Sequence, residues 1–242
     1  MVTLAAGRWQ LNRAAYKVDL QHRIEAAASA PPVRVQPEGA VDVQSLIWRP
    51  IEAVGRFDAS QVVLLDNRLR DGVAGYEVLT PFVLSGSGRA LLVNRGWVAA
   101  PPRRDQRPSV VPPAGEVRLV GMATVPSARF MELRAGTDES GRWQNWTIER
   151  ARERWGLDLL PYAMLQTGES VALEAVPGDR VGGVDRDDKL ARVWPRPDVG
   201  IDKHRGYALQ WFSFALVAIV VWLVLSLRRA EIPEASDAAG VS

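Results

Sequence analysis

Residues 202–229, DKHRGYALQWFSFALVAIVVWLVLSLRR, hold the longest apolar run in the chain. From Tyr207 to Leu227 no residue is charged. At about 1.5 Å per residue such a helix covers roughly 30 Å, the thickness of a bilayer's hydrocarbon core. Buried helices of globular domains are seldom this long and this uniformly apolar, so 207–227 is expected to be a transmembrane helix. Tyr207 and Trp211 stand at one end, where amphipathic rings favour the membrane interface. Arg228 and Arg229 close the other end and favour a cytoplasmic tail, 228–242, although Lys203 and Arg205 at the near end reduce the charge asymmetry. The polar, small-residue composition of the tail is that of a disordered segment. His204 stands just before the apolar run, and the chain has one other histidine, His22.

The 242 residues suffice for one substantial domain or two small ones. Basic and acidic residues nearly balance, 30 against 28, and are interspersed. Nucleic acid is therefore not an expected partner. All but three of the basic residues are arginine. There is no cysteine, which removes disulfides, thiolate metal sites and a cysteine nucleophile. A cytoplasmic C-terminus puts the main domain outside the cytoplasm, which requires an export signal. MVTLAAGRWQ has too few apolar residues before Arg8 to be a signal peptide or a membrane helix, so the expectation is that this chain begins late.

RWQLNRAAYKVDLQHRIEAAA predicts an amphipathic helix with Trp9, Arg13, Tyr16, Leu20 and Ile24 on one face, broken by SAPPV. Short strand-like runs follow: WRPIEAVGRF, QVVLLDNRL ending in the turn RDGVAG, YEVLTPFVL and RALLVNRGWV joined by SGSG, and EVRLVGMATV after a proline-rich loop. TIERARERWG, 147–156, predicts a helix capped by Thr147 and Gly156. Its Glu149 and Glu153 sit on a solvated face. LLPYAMLQ and SVALEAV are two further predicted strands. The fold class expected is a β-rich α+β extracytoplasmic domain, an antiparallel, partly closed sheet with short helices, plus the C-terminal transmembrane helix. The division is 7–30 amphipathic juxtamembrane helix, 31–176 β-rich domain, 177–206 linker, 207–227 membrane helix, 228–242 tail.

Two histidines, one on the edge of a helix, support neither a Ser-His-Asp triad nor a multi-histidine zinc site. No phosphate-binding glycine loop is present. Three stretches stand out: WQLNRAAYK at 9–17, Asn94-Arg95-Gly96-Trp97 inside an otherwise apolar strand, and HRGYALQWF at 204–212. An arginine within a strand marks a sheet edge, a buried ion pair or a ligand contact.

Together these stretches resemble the Surfeit-locus-1 family of cytochrome c oxidase assembly proteins. Four elements run in the family's order: Trp9, Gln10, Arg13 and Lys17; Gly75, Tyr76, Val78, Thr80 and Pro81; Asn94 to Val98; and His204, Tyr207, Ala208, Gln210, Trp211 and Phe212. The resemblance implies two membrane helices bracketing an outer domain. Residues 1–6 would be the remnant of a truncated first helix. It implies a non-enzymatic assembly factor in a bacterial-type plasma membrane, with the catalytic subunit I of cytochrome c oxidase, other assembly factors and membrane lipid as partners. It also implies haem a as cofactor, with His204 as iron ligand and Tyr207 and Trp211 beside it. Asp202-Lys203 departs from the asparagines common in the family.

A neutral imidazole is a sound axial ligand for haem iron. His204, Ala208, Trp211, Ala215, Ala218 and Trp222 share a helix face, whose small residues leave room for a flat macrocycle or for a second helix. Trp211 could stack on a porphyrin, and Arg205, Lys203 or Arg95 could pair with its propionates. Trp9, Gln10, Arg13 and Lys17 are expected near His204. Asn94, Arg95, Gly96 and Trp97 are expected to shape the outer domain or its partner face. The alternatives are a haem-free interaction scaffold and a membrane-tethered hydrolase using carboxylates.

Overall fold

The hairpin strands are joined by tight local turns. In the turn between β3 (Val63–Arg70) and β4 (Val73–Leu84), Asp71 and Gly72 take φ of 50° and 78°. Two consecutive positive φ values match the right-handed twist of the flanking strands, and Asp-Gly meets that demand at low cost. SGSG joins β4 to β5 (Ala90–Ala99), with Gly86 at φ 76°. The protein's structure, a computed structural model, describes residues 2–39, 41–103, 106–126, 142–173, 189–194 and 201–230. Much of the expected linker, nearly all of the tail and the second half of SVALEAV lie outside the described residues. The chain divides into two compact units, Met1–Arg23 with Pro197–Ser242, and Ile24–Arg196.

The second unit is built on one sheet. Its remaining elements are β1 (Val33–Arg34), α2 (Val43–Leu46), β2 (Pro50–Phe57), β6 (Val117–Thr124), β7 (Arg142–Trp143), α3 (Ile148–Trp155), β8 (Leu159–Gln166) and β9 (Val171–Ala172). Strands pair in the order β2–β6–β8–β5–β4, and β4 pairs back to β2, so five strands close a ring. Closure satisfies the hydrogen bonds that an open edge would expose. The sheet is more closed than expected, and it is not wholly antiparallel. β5 pairs with β8 in parallel, as do β1 with β2 and β3 with β7. Parallel neighbours need a long connection, and the crossing through α3 supplies it for β8.

The alternation of side chains along each strand sorts the core. Ile51, Ala53, Phe82, Leu84, Leu91, Val93, Leu119, Leu160, Tyr162 and Met164 form one cluster drawn from all five ring strands. Each fully buried Leu or Phe contributes about 1.5–3 kcal/mol. A second cluster seats α3 against the sheet through Ile148 and Ala151, with Trp143 stacked on Trp155 at 5.6 Å. Thr147 accepts the Arg150 N–H at 3.1 Å and Gly156 closes the helix at φ 64°, as the sequence predicts. Glu149 and Glu153 are exposed.

Asn94-Arg95-Gly96-Trp97 lies in this unit and is structural. Arg95 is fully buried, donates to the Val110 carbonyl at 2.6 Å and to Val111 at 3.3 Å, and lies over the Phe57 ring. Asn94 donates to Glu77 at 2.8 Å. Trp97 exchanges backbone bonds with Ala191, and its indole donates to the Arg68 carbonyl at 2.9 Å. Arg192 donates to the Arg95 carbonyl at 3.0 Å. The motif therefore clips two passing segments, 110–111 and 191–192, onto the ring. The expectation that Arg95 could hold a propionate is corrected: its guanidinium is enclosed and committed to backbone carbonyls. The partner-face reading is likewise withdrawn for the buried Asn94 and Arg95.

Gly75 belongs to the same assembly. A Cβ there would come within 2.3 Å of the Trp97 ring and 2.4 Å of the Val98 carbonyl oxygen. Gly75→Ala is expected to cost about 2–4 kcal/mol through overpacking. A Cβ on Gly88, in the β4–β5 turn, meets nothing within 4 Å, so Gly88→Ala should be near neutral. Chemical denaturation of the two variants tests the contrast; equal midpoints would contradict it.

Candidate functional site

The first unit contains α1 (Val2–Ala28) as far as Arg23, and α4 (Ile201–Ala230). α1 is unbroken across residues 6 and 7. Asp202–Arg228 is the one stretch among the described residues long and apolar enough to cross a membrane. Asp202, Lys203, His204 and Arg205 form a polar turn before its uncharged part.

The two helices meet along small residues. On α1, Thr3, Gly7, Gln10, Ala14 and Lys17 are among the buried or partly buried positions, at alternating spacings of four and three. That is the repeat of a helix seam. On α4 the matching set is His204, Ala208, Trp211 and Ala215, with Ala208 and Ala215 buried. Gly7 faces the Phe212 ring so closely that a Cβ would lie 2.8 Å from it. Gln10 meets His204, and Thr3 and Leu4 lie beside Ala215 and Trp222. As α1 advances its partners on α4 recede, so the helices run antiparallel.

This seam differs from the face expected on α1. Trp9 and Tyr16 are 59% and 57% exposed, and the packed side is the neighbouring one carrying Gly7 and Ala14. Small residues win because they let backbones approach closely, which large rings prevent. The sequence carried the signal: Gly7 and Ala14 are seven apart, as are Ala208 and Ala215. The face of α4 that could have received a flat macrocycle or a second helix carries the second helix.

At the polar end of the seam, His204 Nδ1 lies 2.7 Å from Gln10 Oε1. A carboxamide oxygen only accepts, so Nδ1 is the nitrogen placed to donate, and in the neutral ring Nε2 then keeps its lone pair. A metal-binding imidazole is commonly oriented this way, its second nitrogen donating to a carbonyl-type oxygen. Arg13 and Lys17 follow Gln10 on α1 at spacings of three and four, on its face. His204 is partly buried, outside the uncharged segment, and titrates below the usual imidazole range. Desolvation is the first cause, and the positive charges of Lys17 and Arg13 add to it. Both favour the neutral ring.

Trp9, Gln10, Arg13 and Lys17 are thus brought to one helix pair with His204. Tyr207 is exposed on the next turn of α4, and Trp211 packs edge-on against Phe214 at 6.0 Å. The cations that act on the imidazole are Lys17 and Arg13, while Lys203 and Arg205 flank it in the chain and are exposed on α4. His22 is exposed on α1. No three His, Asp or Glu side chains cluster as a metal site among the described residues.

Replacing Gln10 by leucine is expected to release the tautomer, so that Nε2-protonated imidazole becomes populated. Imidazole ¹⁵N chemical shifts report this directly, and an unchanged Nδ1-protonated signal would refute the coupling. Arg13→Gln with Lys17→Gln should raise the His204 titration midpoint, because two positive neighbours are removed.

Comparison with known proteins covers both units of the chain. The model of the SURF1 family matches residues 1–216. Surfeit locus protein 1 of Mus musculus is 27% identical over 243 residues, covering 93% of this chain and 72% of the relative. Surfeit locus protein 1 of Homo sapiens is 26% identical over 245 residues, covering 92% and 73%. Cytochrome oxidase assembly protein SHY1 of Saccharomyces cerevisiae is 24% identical over 150 residues, covering 60% of this chain and 39% of the relative. The matched span takes in the helix pair, the closed sheet and His204, and the chain belongs to the SURF1 family.

Proposed function

We propose that this chain is a membrane-anchored, non-enzymatic factor in the assembly of cytochrome oxidase. In this reading it holds haem a at the membrane surface through His204 and presents it to the catalytic subunit. Membership of the family and the name of the yeast relative, a cytochrome oxidase assembly protein, support the assembly role. The apolar stretch of α4 supports anchoring. Arginines after that stretch favour a cytoplasmic C-terminus, with the β-rich unit on the outer side of a bacterial-type plasma membrane.

The observation that carries the haem reading is the 2.7 Å contact between His204 and Gln10. It holds a neutral imidazole with one nitrogen engaged and the other able to ligate. Haem supplies an iron centre that accepts such a nitrogen. Arg13 and Lys17 lie on the side of Gln10 away from the apolar segment, suited to propionates at the water boundary. Tyr207 and Trp211 offer aromatic surface on the following turns.

A second reading is a haem-free scaffold that binds oxidase subunits. The small-residue face of α4 favours it, since α1 already covers Ala208.

Purified full-length protein from membranes of cells making haem a is expected to show a haem absorption band. His204→Ala should lose that band and keep its circular dichroism. Arg13→Gln with Lys17→Gln should weaken haem retention about tenfold, two charge-assisted contacts being lost. Equal haem content in wild type and His204→Ala would overturn ligation, and no band in either would favour the scaffold.

A further inference from the structure

Beyond His204 the helix pair carries an apolar groove. Thr3 and Leu4 of α1 and Ala215, Ala218, Ile219 and Trp222 of α4 line about 190 Å³. The groove exists because Ala215 and Ala218 offer no bulk while Ile219 and Trp222 project beside them. It carries no charge, and Thr3 supplies its one side-chain hydroxyl.

Its placement is continuous with the imidazole. Ala215, Ala218 and Trp222 prolong the face of His204, Ala208 and Trp211. Ala215 lies eleven residues past His204, about 16 Å along the helix. On the opposite side of Gln10, Arg13 and Lys17 lie about 4 Å and 10 Å further along α1. The seam therefore reads in one direction as cations, imidazole, aromatic surface and apolar groove. Haem a has the same order across its ring: carboxylates on one edge, iron at the centre, a long isoprenoid tail on the far edge.

We propose that this groove receives the isoprenoid tail of haem a and lets the protein discriminate tailed haems from tail-less ones. The proposal rests on the haem reading above. The tail runs along the Trp211 flank of the seam, because the Gly7–Phe212 contact closes the seam between imidazole and groove. A lipid chain competes for the same walls. In hydrocarbon the groove gains nothing from excluding water, so selectivity comes from packing alone and is expected to be about five- to tenfold.

The test compares haem o, which carries the tail, with haem b, which lacks it, by absorbance titration of the full chain in lipid nanodiscs. Wild type should bind haem o about five- to tenfold more tightly. Ala218→Phe fills the groove from α4 at an exposed position, and Leu4→Trp fills it from α1, also at an exposed position. In both, haem o affinity should fall to that of haem b, with haem b binding unchanged, which also reports an intact helix pair. Partition of the tail into the bilayer raises haem o occupancy equally in every variant, so the change of ratio is diagnostic. A ratio near one in wild type, or one that survives both substitutions, overturns the groove assignment and leaves haem binding standing. Failure of both haems to bind overturns the groove and the haem reading together.

Discussion

The helix pair closes where one side chain is missing. Gly7 sits so near the Phe212 ring that a Cβ would lie 2.8 Å from it and push the ring aside, and one turn on from this approach Gln10 is within hydrogen-bonding reach of His204. A helix pair separated by one more methyl group would lose this contact first. Small residues at seven-residue intervals on both helices keep the approach constant over several turns. Where helices meet in hydrocarbon this matters more than it does in water, since apolar burial alone does not drive them together.

The β-rich unit obeys a different constraint. Its ring leaves no long open edge, but the segments that pass over it must be fastened. Arg95 does this from within, its buried guanidinium donating to the carbonyls of Val110 and Val111. Trp97 and Arg192 fasten the return segment on the same strand. A buried arginine is costly unless its donors are met, and here passing backbone accepts from both Nη groups. The motif that looked chemical in the strand is thus a packing device.

The imidazole is governed by two neighbours with distinct effects. Gln10 selects which nitrogen carries the proton. Arg13 and Lys17 disfavour a second proton. Either effect alone would leave a histidine of ordinary character at a membrane surface. Together they hold a neutral ring in one tautomer, the state in which histidine acts as a ligand. The same two cations complement carboxylates, so the charge that keeps the ring neutral also suits the periphery of a haem.

Much of the architecture was legible along the chain because its causes are local. The uncharged run 207–227, the Asp71-Gly72 turn, the caps Thr147 and Gly156 and the strand periodicity all follow from neighbouring residues. The four motif elements were also visible in order, and they placed WQLNRAAYK near His204. Three matters lay beyond local sequence. One was the closure of the ring with β8 parallel to β5, which depends on where a long connection returns. Another was the role of Arg95, since its carbonyl partners lie fifteen and sixteen residues away. The last was the seam itself: periodicity gave α1 an aromatic face, but packing chose the glycine and alanine face beside it. Local pattern determines which elements form. Which faces meet is decided by how closely backbones can approach, and only the folded chain decides that.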